Sequence, residues 1–273
     1  MTFILPIFKP KRVLMKLRKL TDNIKHLKPL CLVTLTFFIA LPSSASVIFF
    51  GDVNAPSNIN NSGYESLSAI HQSFLGTGTS VLVSNQHGNS LVSSPINTFF
   101  NGLAGVTSVV SSVDLSSAFL SSYDLVFLDM YCCNVSTIDN YSAAERAALN
   151  GYIAAGNQLV IESEPHSDTA GRLSMNTFLT DIGTPWQIQA NNTESSGTVI
   201  IQDTAYSTAG DLGWNGGTYD NIVTGGIALA LGTDGGTYAS LYEVDAVDVP
   251  EPTTLVLLGI GLFGLGFSKR KKI

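Results

Sequence analysis

Four side chains in the stretch ESEPHSD, residues 162–168, raise the question of chemistry first: Glu162, Glu164, His166 and Asp168. They recur at every second position, so an extended chain turns all four to one side. Three carboxylates and an imidazole so placed can hold a divalent cation, calcium if oxygen ligands dominate. The plainer reading is a solvated acidic loop in a chain that is acidic along most of its length. No other cofactor is implied.

The nucleophiles are less well placed. Cys132 and Cys133 are adjacent in YCCN and cannot staple distant segments; a strained vicinal disulfide, free thiols and an intermolecular bond all stay open. A cysteine nucleophile would take His87 or His166 as its base. The tight elbow that presents such a nucleophile needs close glycines, and neither G-x-C-x-G nor G-x-S-x-G occurs. GTGTS (76–80) precedes a strand pattern, so it is no phosphate loop. Arg146 and Arg172 could serve an anionic ligand, though helix-surface ion pairs are the commoner fate of such residues. His71, beside Ile70 in a helical pattern, reads as structural or surface.

Strands and helices must position these groups. SVIFFGD (46–52), SVLVSN (80–85), Val106–Val113, DLVFLDM (124–130) and QLVIESEP (158–165) read as strands, mostly apolar throughout without alternation. Between them, 64–76, Ile96–Leu103, 142–156 and 167–182 read as helices. Ser142 and Glu145 stand at capping-box spacing, and Gly156 is a stop. Apolar strands alternating with helices predict an α/β fold, a parallel sheet flanked by helices on both faces. Past Trp186 the texture becomes β-rich, predicting antiparallel strands within the same sheet or as an edge extension. Asp52, Asn85 with His87, Cys132 with Cys133, and the 162–168 group then fall at strand carboxyl ends, where such sheets bind ligands.

Charge divides the chain into three parts. Residues 46–248 hold nineteen of the 21 acidic residues and only two arginines, a formal charge of −17. That surface repels phosphate backbones and argues against a nucleic-acid partner. Ahead of it, a basic stretch leads into CLVTLTFFIAL (31–41) and PSSAS. Ser43 and Ala45 are the small residues a signal peptidase requires, so residues 1–45 read as a signal peptide cleaved between Ala45 and Ser46. Met15 begins a second, more ordinary signal. Behind it, residues 249–273 hold Val249, Pro250, Glu251 and Pro252, then an uncharged run from Thr253 to Phe267, then Lys269, Arg270, Lys271 and Lys272. As one transmembrane helix, fifteen residues span about 22 Å, short of a core of about 30 Å, and the basic side chains can snorkel to make up part of the difference. The basic end stays cytoplasmic, leaving the acidic domain outside. The two prolines keep the preceding segment extended.

The order Pro-Glu-Pro, short apolar helix, basic end resembles the PEP-CTERM sorting signal. The resemblance implies an exosortase as partner, membrane anchoring before processing, and a place at the cell surface or in an exopolysaccharide matrix. A second likeness concerns the body: SSYDLVFLDMY followed by SAAERAALNGYIAAGNQLVIESEP is similar to the third strand, helix and fourth strand of class I glutamine amidotransferase-like domains, which include ThuA-like proteins. It implies a flavodoxin-like or amidotransferase-like sheet, although Cys132 lacks the flanking glycines of the family's nucleophile. The expectation is an exported, non-catalytic surface or exopolysaccharide-matrix protein. The alternative is an extracellular hydrolase or amidotransferase-like enzyme acting on polysaccharide.

Overall fold

A computed structural model describes residues 45–51, 54–87, 92–130, 140–163, 169–188, 195–211, 213–219, 222–233 and 235–244. Five parallel strands carry the first half: β1 (Ala45–Phe50), β2 (Ser80–Ser84), β3 (Thr107–Ser111), β4 (Leu125–Asp129) and β5 (Gln158–Glu162). Their order across the sheet is β3-β2-β4-β5-β1. With β1 counted last, this is the 2-1-3-4-5 order of flavodoxin-like sheets. Every residue of β1 and β4 is buried, as their unbroken apolar runs require of strands covered on both faces.

The helices are α1 (Asn54–Ser57), α2 (Glu65–Leu75), α3 (Ser93–Asn101), α4 (Ser117–Leu120), α5 (Ala143–Ala154) and α6 (Thr169–Asp181). The capping box of α5 forms as its spacing predicts: Glu145 N donates to Ser142 Oγ at 3.3 Å, and Ser142 N donates to Glu145 Oε2 at 2.8 Å. Gly156 follows α5 at φ 90°, a conformation that suits glycine alone without strain. The helix expected from Ile96 starts earlier, at Ser93, because Pro95 is tolerated in a first turn where its missing N–H bonds nothing.

Alternation along β1 sends Ile48 and Phe50 to one face and Val47 and Phe49 to the other. Leu67, Ile70 and Phe74 of α2 and Ile96 and Phe100 of α3 cover the first face; Leu149 and Ile153 of α5 and Met175 and Phe178 of α6 cover the second. Each such side chain contributes about 1.5–3 kcal/mol by leaving water.

The β-rich part joins this sheet. It adds β6 (Gln187–Ile188), β8 (Ile200–Ile201), β10 (Ile222–Thr224), β11 (Ile227–Leu231) and β12 (Thr237–Val244), making ten strands among the described residues. β12 lies antiparallel to β1, with Ala45 opposite Val244 and Phe50 opposite Ala239. Trp214, Leu229 and Tyr238 share a core cluster with Ile48 and Phe50, so the two halves have one continuous interior. A separate two-stranded sheet pairs β7 (Ser195–Thr198) with β9 (Asn215–Tyr219). Among the described residues no helix is long and apolar enough to cross a membrane; the expected helix at 253–267 lies outside them.

Candidate functional site

The strand order reverses between β2 and β4, so the crevice at their carboxyl ends is where a doubly wound sheet would take a ligand. Asp129 ends β4 there, with no exposed surface. Its Oδ2 accepts from the backbone N–H of Ser93, the first residue of α3, at 2.9 Å, and its Oδ1 is buried without a hydrogen-bond partner. Burial holds its carboxyl above the ordinary range, against the pull of the Ser93 bonds. An internal carboxylate therefore sits at the helix N-terminus where such folds elsewhere receive a phosphate.

Glu162 ends β5 in register with Asp129 on one side and Phe50 on the other, and is likewise fully buried. Neighbouring strands lie about 4.8 Å apart, so two carboxyl groups share one dry face at the sheet's end. Glu162 is thus a strand residue and no solvated loop. Glu164, His166 and Asp168 lie outside the described residues, as do Asp52, Cys132 and Cys133. Among the described residues no group of three or more His, Cys, Asp and Glu side chains could hold a metal ion.

On the other side of the crevice Glu145 is a hub that the capping-box spacing announces only in part. It accepts from Ser142 N and Ser142 Oγ at 2.8 and 2.9 Å and from Leu115 N at 3.3 Å. Burial alone would raise its carboxyl, but these bonds and one from Gln86 outweigh it and hold it below the usual range. His87 Nε2 lies 3.6 Å from Glu145 Oε1, and the ring meets Tyr141 edge-on with centroids 4.4 Å apart. Gln86 Nε2 donates to Asp114 Oδ1 at 2.7 Å. Burial, then the nearby carboxylates of Glu145 and Asp129, push the Tyr141 hydroxyl above its ordinary range. Glu145 is thus held by Ser142 and Leu115, whereas Asp129 Oδ1 and the Tyr141 hydroxyl are buried without a hydrogen-bond partner. Asp129 and Tyr141 went unread in the sequence; the abrupt end of DLVFLD in a carboxylate is the signal that points to the first.

The other residues fall as follows. Arg146 pairs with Asp181 at 2.8 Å and lies 5.9 Å from the centroid of the Phe178 ring, a helix-surface ion pair as expected. Ala45 and Ser46 open β1. Residues 249–273, with Val249 to Pro252 and Lys269 to Lys272, lie outside the described residues.

Residues 248–271 match the family described as the PEP-CTERM protein-sorting motif. The motif marks a chain for export and for exosortase processing from a membrane-anchored precursor. No curated protein matches the chain. The amidotransferase-like likeness of the body is not supported.

Proposed function

We propose that this protein is an exported surface or exopolysaccharide-matrix component, released by an exosortase, with a non-catalytic acidic body at residues 46–248. The observation that carries the reading is the sorting motif at 248–271, which begins just after the last strand ends at Val244. Cutting within this tail leaves every strand of the body whole. Cutting between Ala45 and Ser46 by signal peptidase removes one residue from β1 and its pairing with Val244. The non-catalytic part of the reading draws on Glu145, which Ser142 and Leu115 hold in place, and on a sequence without a glycine-flanked Cys or Ser elbow.

Intact-mass measurement of the protein released from cells tests both ends at once. The expected species begins at Ser46 and ends near Pro-Glu-Pro when an exosortase is present, and keeps its tail when the exosortase is deleted. Released protein that still carries Lys269 to Lys272 in exosortase-bearing cells would refute the sorting claim.

A further inference from the structure

We infer that the unprocessed protein turns the amino-end edge of its parallel strands toward the bilayer and its carboxyl-end edge outward, so that the amino-end edge is a lipid-facing surface. This rests on the reading of the tail as a membrane-anchored sorting signal. The first observation is the register of β1 with β12. β12 runs antiparallel to β1 and brings Val244 opposite Ala45, so the body ends at the edge where it began.

The second observation is the length of chain that follows. Residues 245–249 separate Val244 from Pro250 and reach about 17 Å at full stretch. The strands themselves, five or six residues long, span roughly the same distance. Bringing the carboxyl-end edge and its loops to the bilayer would need the tether drawn taut back along the body. Bringing the amino-end edge there needs no such stretch.

The exposed acids are balanced between the two edges, so the tether and not charge sets the orientation. At the carboxyl ends and the helix N-termini above them lie Glu65, Asp114, Asp129, Glu145 and Glu162, of which only Glu65 and Asp114 are exposed. At the amino ends the residues entering the strands include Thr79, Ser80, Ser122, Tyr123 and Asn157. Asp124 is there too, but its carboxylate accepts from Thr79 N, Ser80 N and Ser80 Oγ at 2.8, 3.0 and 2.8 Å, and Glu243 is the other acid at this edge.

Fluorophore labels can read the orientation. Ser122→Cys and Ala104→Cys place exposed labels at the amino-end edge, and Ser62→Cys and Val113→Cys place them at the carboxyl-end edge. Each is introduced into the tail-bearing chain from exosortase-deleted cells, carrying Cys132→Ser and Cys133→Ser, and reconstituted in phosphatidylcholine vesicles with headgroup spin-labelled lipid. Circular dichroism selects the folded variants, and two positions per edge guard against loss of one. Quenching several-fold stronger at Ser122 and Ala104 than at Ser62 and Val113 is expected. Equal or reversed quenching in protein that floats with the vesicles overturns the orientation and leaves the sorting reading standing. Protein that does not float with the vesicles removes the anchor, and the orientation with it.

Discussion

His71 stacks on Phe50 at a centroid distance of 5.2 Å and on Phe127 at 6.0 Å, and Nδ1–H donates to the carbonyl of Leu67 at 2.9 Å. Burial pushes its pKa down from 6.5 to about 4, the Leu67 bond opposing. The neutral ring is the form that fits, so the stability it contributes is complete above pH 6.5 and is lost as pH falls toward 4. That amounts to roughly 3 kcal/mol over the window. Asp129 acts in the other sense: its raised carboxyl contributes stability below its unfolded pKa that is lost as pH rises through the folded value. Urea titrations between pH 7.5 and 4.5 should show falling stability in the natural protein. In His71→Gln, which does not titrate, the slope should flatten or reverse at a lower overall stability. An unchanged slope would remove His71 as its cause.

At the scale of elements, the outer strand of the parallel half needs protection. β3 pairs only with β2 along the sheet's path, and Val109 and Val110 on it are 39% and 41% exposed in a segment with no charge. Such an edge invites pairing with another chain. Asn101, the last residue of α3, answers part of the hazard: its Nδ2 donates to Ser108 O at 3.0 Å and its Oδ1 accepts from Ser108 N at 2.8 Å. The side-chain amide thus does for Ser108 what a neighbouring strand would do. Asn101→Ala should cost about 1–2 kcal/mol from two lost bonds, lowering the melting temperature by roughly 2–8 °C. It should also raise self-association in sedimentation velocity. A variant as monodisperse as the parent would show that the valines need no such cover.

At the scale of the molecule, a body of formal charge −17 repels itself, and salt should stabilise it by screening. Sodium and calcium at equal ionic strength are expected to raise the melting temperature alike. Glu164→Gln with His166→Ala should leave both responses as they were. A saturable rise specific to calcium that vanishes in this double variant would instead make Glu162, Glu164, His166 and Asp168 a cation site.

The address and the parallel half are legible in the sequence. The sorting tail is a linear signal, so its residues carry it without a fold, and the apolar runs at β1, β2, β4 and β5 with the Ser142–Glu145 box express local periodicity and capping. Which segments become neighbours is set by the tertiary fold. Ala45 of β1 pairs with Val244 of β12 across 199 positions, and no local pattern encodes so distant a pairing. The same holds for the crevice: Asp129 meets Ser93 across 36 residues, and Glu145 meets Leu115 across 30. Glu162 and Asp129 become a buried pair only because β4 and β5 align in register. A carboxylate's burial depends on what the rest of the chain lays over it, and spacing along the sequence does not record that.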